Sequence, residues 1–470
     1  MSRSLFPFLF ALFLSPLARA DEVAAPDTAL TIHASPRPLA KEAVVADWPR
    51  LLGPSHDNTT TESPLLVDWG DGGPKLLWER RAGGGYSPPT VVGERVLFFH
   101  TRGDEALLEC LAAETGRCLW SFTYPSGYRD RFGFSNGPRG PAVVEDGRVF
   151  LHGAEGVLHA LDLATGKVLW KRDTSKENAV PQDYFGVAAS PLVLGSRVIV
   201  NVGAPGGPCV VAFDAASGEV LWTAGKEWGP GCATPVPATI HGKEWVFLFT
   251  GGDSRPPTGG LLVLDPATGK IGGSFPFRSD DYYSVNASSP VVLGDRIYIS
   301  SSYETGGVML RLETTGALSE VYRTADLGCH FMTPVAKDGF LYGIDGMKAA
   351  TLGLVCLDLA TGKKRWKVNP ELAEEMDVNG ERRLVPFGID HASLVRAGDR
   401  FLCLGEQGHL LWLELSPDNP RILARTRLFA ARETWGPLVV SHGLLYVRQN
   451  SKDPVSKKPT RLLCYDLRGE

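Results

Sequence analysis

The sequence predicts an all-β fold, an eight-bladed β-propeller of four-stranded antiparallel blades, with a seven-bladed ring as the alternative. Three observations lead there. A phrase plainest in His159-Ala160-Leu161-Asp162-Leu163-Ala164-Thr165-Gly166-Lys167-Val168-Leu169-Trp170 recurs at glycine-to-glycine spacings of 50, 52, 51, 47 and 46 residues, the length of a propeller blade rather than of a helical repeat. Eight strand-start signals accompany it, seven of them with proline: Ser87-Pro88, Gly140-Pro141, Ser190-Pro191, Thr234-Pro235, Ser289-Pro290, Thr333-Pro334, Ser393 and Gly436-Pro437. Proline is tolerated at the first residue of a strand. Finally, Lys75-Leu76-Leu77-Trp78-Glu79-Arg80 stands alone before the first blade, while the last repeat stops where its own outermost strand is due. Pairing the two would close the ring and leave no sheet edge at the junction.

In chain order, residues 1–20 carry Arg3, an apolar run from Leu5 to Leu14 and Ala18-Arg19-Ala20, the form of a secretory signal. Residues 21–46, rich in Ala, Pro and Thr, read as a flexible tether. A single propeller domain is expected over 47–470. Within each repeat the Asp accepts backbone N–H groups across the hairpin turn and the Gly supplies its positive φ. The Trp four residues later falls on the outermost strand, where Trp78, Trp120, Trp170, Trp222 and Trp366 are expected to dock neighbouring blades. The fourth and fifth repeats have Gly273 and Glu320 at that offset. Between Asn369 and Pro386 a helical turn is expected at Glu371–Met376, followed by an Asn379-Gly380 turn.

With 470 residues and 43% hydrophobic content the chain is ample for a large core. Its net charge of −5 becomes −7 once Arg3 and Arg19 are removed with the signal, which disfavours nucleic acid and anionic membranes as partners. The N-terminal apolar run is short for a membrane span, so an exported, soluble, periplasmic or extracellular monomer is expected. Of eight cysteines, Cys110, Cys356 and Cys464 share one repeat position and read as small buried residues. Cys110 and Cys118 flank one hairpin and are a possible cross-strand disulfide.

The Ala-x-Asp-x-x-Thr-Gly-x-x-x-Trp phrase at Ala160–Trp170, repeated with its strand starts over about residues 75 to 470, resembles the blade motif of the quinoprotein alcohol dehydrogenase-like propellers. Around Trp48-Pro49-Arg50-Leu51-Leu52-Gly53-Pro54 the chain looks like exported quinone-repeat proteins. The superfamily includes pyrroloquinoline quinone dehydrogenases and also non-catalytic scaffolds of outer-membrane β-barrel assembly, so the fold is better specified than the activity. The dehydrogenases hold their quinone between a Trp and a vicinal disulfide beside a Ca²⁺ ion, with an Asp as base. This chain has no adjacent cysteine pair and no Cys-x-x-Cys-His haem motif.

Loops leading into the innermost strands converge on one mouth of a propeller channel. They bring Tyr86, Asn136, Arg139, Asn286, His330, Asp390, His391, Glu433 and Trp435 forward as candidates. Arg139 reads as an anion clamp, Tyr86 and Trp435 as stacking surfaces, and Asp390 and Glu433 as acid/base groups. Asn286, Asp390 and Glu433 form an oxygen set for Ca²⁺, and Asp390 beside His391 suggests an oriented imidazole base. The competing structural role is to hold the blades in register. The expected function is binding of a protein partner or envelope polysaccharide through the loop face without turnover. The alternative is a quinone-dependent oxidoreductase using pyrroloquinoline quinone and Ca²⁺ on an alcohol or sugar, with Asp390 or Glu433 as base.

Overall fold

A computed structural model describes residues 27–469, apart from 71, 183, 184, 349 and 379. The segment expected as a signal, 1–20, lies outside the described residues. The chain forms eight four-stranded antiparallel blades in a ring. Blade 1 comprises Thr90–Val92, Arg95–Arg102, Glu105–Ala112 and Cys118–Pro125, and blades 2 to 7 follow the same inner-to-outer order. Blade 8 takes Val439–Ser441, Leu444–Gln449 and Arg461–Asp466 from the C-terminus and its outermost strand, Lys75–Arg81, from the N-terminal side. Leu76 pairs with Tyr465 and Trp78 with Cys464, so the ring closes as the lone strand implied.

The repeated phrase is the joint between blades. Asp162 accepts from Thr165 N at 2.8 Å, and Gly166 turns the chain at φ +70°. The Trp120 ring of blade 1 lies flat on that turn: a Cβ at Gly166 would sit 2.5 Å from it, and the indole donates to Leu163 O at 3.0 Å. The same bond links Trp78 to Ala113 O, Trp170 to Ala215 O and Trp222 to Pro266 O, each acceptor three residues before the next turn glycine. Trp366 donates to Ser416 O of blade 7. Every such indole buries apolar surface and satisfies its polar atom in the neighbouring blade, which makes blade docking directional.

The two repeats without the expected Trp dock by other residues. In blade 5 the outer hairpin runs two pairs further from the turn before its bulge, and Tyr322 takes the position opposite Met309 that Trp170 takes opposite Ala160. Its hydroxyl donates to Leu359 O at 3.3 Å and its ring covers Gly362. In blade 4, Gly272 leaves room for Trp245 of the second strand, whose buried ring reaches Gly316 on the turn of blade 5, and Gly273 lets that turn's backbone approach closely.

Several sequence expectations are corrected. Over its described part the stretch expected as a tether, 27–46, lies on the ring: Leu30–Ile32 adds a fifth strand to blade 8 and Arg37 pairs with buried Asp466 at 3.0 Å. The expected helical turn is a β-hairpin, Glu374–Val378 with Glu381–Val385, tied to blade 7 by Glu374 contacts to His409 and Arg427 at 2.8 Å. Asn379 of its turn lies outside the described residues. Cys110 faces Trp120, not Cys118, and both cysteines are free, one buried and the other exposed. Cys356 and Cys464 are buried as expected.

Residues 46–62 cross the far face of the ring, where the innermost strands end. Ser441 of blade 8 donates to Ala46 O, and Trp48 exchanges two backbone bonds with Val91 of blade 1. Val144 N of blade 2 donates to Pro49 O, and Arg50 pairs with Glu145 at 2.6 Å. Thr59 and Thr60 then run parallel to Arg396 and Ala397 of blade 7. Glu62 returns to blade 8, accepting from His442 N and from Gly443 N. Leu51 and Leu52 are thereby set into the channel.

Candidate functional site

At the other end, where the innermost strands begin, the channel opens into a cavity of about 260 Å³. Its walls are aromatic and apolar, with Tyr86, Phe134, Phe331, Trp435 and Met332 near the mouth and the Leu51-Leu52 plug behind. The rings touch one another around the rim: Tyr86 and Trp435 centroids are 5.2 Å apart, Phe134 and Trp435 5.6 Å, and Phe331 and His391 5.4 Å. All eight blades contribute through the loops before their innermost strands. This is why residues from 86 to 435 meet.

Of the residues chosen from the sequence, Tyr86, Arg139, His330, His391 and Trp435 line the cavity. Arg139 is its sole arginine or lysine among the described residues, and its charge is already engaged: Asp130 lies 2.6 Å from its Nη2, with both side chains largely buried. The guanidinium also stacks near Tyr128 and Tyr86. Asp130 further accepts from Phe132 N, Phe134 N and Tyr128, which holds the loop carrying Phe134 in shape. Arg139 is therefore a loop anchor rather than a free anion clamp.

Asn136, Asn286, Asp390 and Glu433 do not line the cavity. Asn136 is exposed and accepts from Asp130 N at 2.9 Å. Asn286 is wholly buried and pins Thr250 O and Phe277 O, both at 2.9 Å. Asp390 and Glu433 take equivalent places in blades 7 and 8, each with a positive φ of 49° and 58°. Asp390 accepts from Asn369, and Glu433 accepts from the Tyr86 hydroxyl at 3.1 Å. Burial and the adjacent Glu433 push the Tyr86 phenol up, so it stays a neutral donor.

The residue missed in the sequence is Glu406, in the loop Gly405-Glu406-Gln407-Gly408 between the second and third strands of blade 7. One carboxylate oxygen lies 2.9 Å from His391 Nδ1, and the other accepts from Trp435 Nε1 at 3.0 Å. Its backbone O accepts from Thr434 N of the loop into blade 8. Burial alone would raise this carboxyl, but the bonds from His391 and Trp435 hold it below the ordinary range. His391 is thus oriented by Glu406, not by its neighbour Asp390. Loops between second and third strands open on the same face as the innermost-strand starts, which is the signal that would have brought Glu406 forward.

The cofactor implied by the resemblance does not fit these residues. Pyrroloquinoline quinone is a tricarboxylate, and the one arginine or lysine among the described residues of the wall is neutralised by Asp130. The oxygen set proposed for Ca²⁺ is split among three environments, and no group of three His, Cys, Asp or Glu side chains among the described residues could hold a metal ion.

The family model described as outer membrane protein assembly factor BamB matches residues 104–368, from blade 1 to the end of blade 6. A tetrathionate hydrolase of Acidithiobacillus ferrooxidans is 26% identical over 279 residues, covering 53% of this chain and 49% of that protein. The dehydrogenase subunit of a quinone alcohol dehydrogenase of Komagataeibacter europaeus is 31% identical over 270 residues, covering 51% of this chain and 36% of that protein. The chain spans about half or less of the length of these curated relatives. Among solved structures, BamB from Moraxella catarrhalis aligns with a TM-score of 0.52 at 16% identity, over 83% of this chain and 99% of that one, a likeness of fold. The matched stretch covers more than half of the sequence and takes in the outer half of blade 1 and the five blades after it: the chain belongs to the PQQ-like repeat family of β-propellers whose model is described as outer membrane protein assembly factor BamB.

Proposed function

We propose that this protein is an exported, non-catalytic propeller that binds a protein partner through its loop face, taking an apolar side chain of that partner into the cavity at the channel mouth. The observation that carries the reading is the aromatic-walled cavity. Its volume of about 260 Å³ lies just below the ~300–1,000 Å³ of sites for drug-sized ligands, a size suited to a single anchoring side chain. Interfaces draw most of their energy from such anchors in desolvated pockets. A likeness in fold to an outer-membrane assembly factor supports a partner in the envelope.

An envelope polysaccharide is less well matched, because sugar hydroxyls require several free polar partners. Arg139, Tyr86 and Glu433 are already committed to protein groups. A quinone-dependent oxidoreductase finds no support in the donor set described above.

Panning a random-peptide display library on the wild type and on a cavity-filled variant, Ala188→Phe, tests the reading. Peptides enriched on the wild type should carry an apolar anchor and should lose binding to the filled variant, whose melting temperature is checked for folding. Equal enrichment on both proteins, or none on either, would overturn it.

A further inference from the structure

Three polar atoms of the cavity's described lining have no protein partner: His391 Nε2, His330 Nδ1 and Ser393 Oγ are buried and make no hydrogen bond. Buried polar groups are paired in folded proteins in the great majority of cases, so each such exception calls for an explanation. For His391 the structure defines what is left over. Glu406, 2.9 Å from Nδ1, accepts the proton there, and a neutral imidazole with its proton at Nδ1 carries a bare lone pair at Nε2. Phe331 stacks on this imidazole at 21°, and Trp435 meets it nearly edge-on at 76°. The neighbouring His330 is neutral near pH 7, since burial, with His391 beside it, lowers its pKa to about 4. Its ring lies 5.8 Å from that of His391.

From this arrangement we infer that the cavity selects a flat aromatic ring bearing an O–H or N–H donor, so that the partner's anchor is a tyrosine or tryptophan side chain rather than phenylalanine or leucine. The ring would stack among Tyr86, Phe331 and Trp435 while its donor meets His391 Nε2. Glu406 is a positioning residue: it fixes the proton at Nδ1 and so keeps Nε2 an acceptor. The inference rests on the cavity being the partner site, and it adds the chemistry of recognition. A site with an otherwise unpaired acceptor discriminates against the analogue lacking the donor, because that analogue leaves the buried group unpaired.

The test uses isolated probes on the full chain. Affinities of 4-methylphenol and toluene, and of 3-methylindole and 1,3-dimethylindole, are measured by ligand-observed NMR titration. The donor-bearing member of each pair should bind about tenfold more tightly, and His391→Phe should bring each ratio to about one. If that variant does not fold, Glu406→Gln serves instead: ¹⁵N shifts should report an Nδ1–H tautomer for His391 in the wild type, and its loss together with a reduced ratio in the variant. Equal affinities within each pair on the wild type would overturn the donor selection while leaving an apolar cavity reading intact. Absence of binding by all four probes would overturn both.

Discussion

Trp435 of blade 8 and His391 of blade 7 are held by the same carboxylate, Glu406, whose two oxygens lie 3.0 and 2.9 Å from Trp435 Nε1 and His391 Nδ1. The rim of the cavity is therefore locked across a blade seam. Replacing Glu406 by alanine should free both rings and weaken binding of any aromatic anchor by about tenfold or more, since two hydrogen bonds to a charged group are lost. Retention of wild-type affinity for a peptide selected by panning would contradict this role.

Closure by the N-terminal strand predicts a large effect at its centre. Trp78 is fully buried, donates to Ala113 O and covers Gly116 of blade 1. Trp78→Ala should cost about 3–5 kcal/mol in urea unfolding. Trp120→Ala, at a similar joint but partly exposed, should cost less. Equal and small effects would mean that the seam between blades 8 and 1 is not stabilised as described.

The plug makes a separate prediction. Glu62 accepts from Ala46 N, His442 N and Gly443 N, so one side chain ties the segment's two ends to blade 8. Glu62→Ala should raise amide exchange across residues 46–62 without altering the far blades, and should cost on the order of 1–3 kcal/mol from unpaired buried donors. Unchanged exchange in this segment would contradict its attachment through Glu62.

How much of this was legible in the sequence follows from what repeats. Blade number, ring closure and the docking role of Trp78, Trp120, Trp170, Trp222 and Trp366 could be read because turn, bulge and indole recur at fixed offsets. Tyr322 and Trp245 could not, since a hairpin longer by two pairs and a pair of glycines shift the docking group off that offset. The plug has no counterpart in any repeat, and its attachment depends on bonds to four well-separated places, in blades 8, 1, 2 and 7. At the mouth, proximity was legible but commitment was not: Arg139 and Asn136 both serve Asp130, and His391 takes its carboxylate from a different loop. Those pairings depend on side-chain direction, which loop order does not specify.

Stability should fall with mild acid through buried imidazoles. Burial lowers His152 and His159 to about 4, as it does His330. These values lie below the ordinary 6.5, so as pH falls the unfolded chain takes up protons first. The stabilisation is full above about pH 6.5 and is lost toward pH 4, at about 1.4 kcal/mol for each tenfold change in proton affinity. Glu62 and Glu155, pushed up by burial, act in the opposite sense, so the single-site comparison is decisive. His152→Gln should flatten the dependence of Tm on pH between 6.5 and 4, and an unchanged slope would contradict the neutral buried state of His152.

The most direct test of the account follows the cavity itself with ¹³C-methyl-labelled methionine. Met332 and Met347 line the cavity, whereas Met309 is buried inside blade 5 and Met376 sits in the outer hairpin. On titration with 4-methylphenol the methyl signals of Met332 and Met347 should shift together and saturate, while those of Met309 and Met376 stay in place. No shift at Met332 and Met347, or shifts confined to Met309 or Met376, would contradict a binding site at the channel mouth.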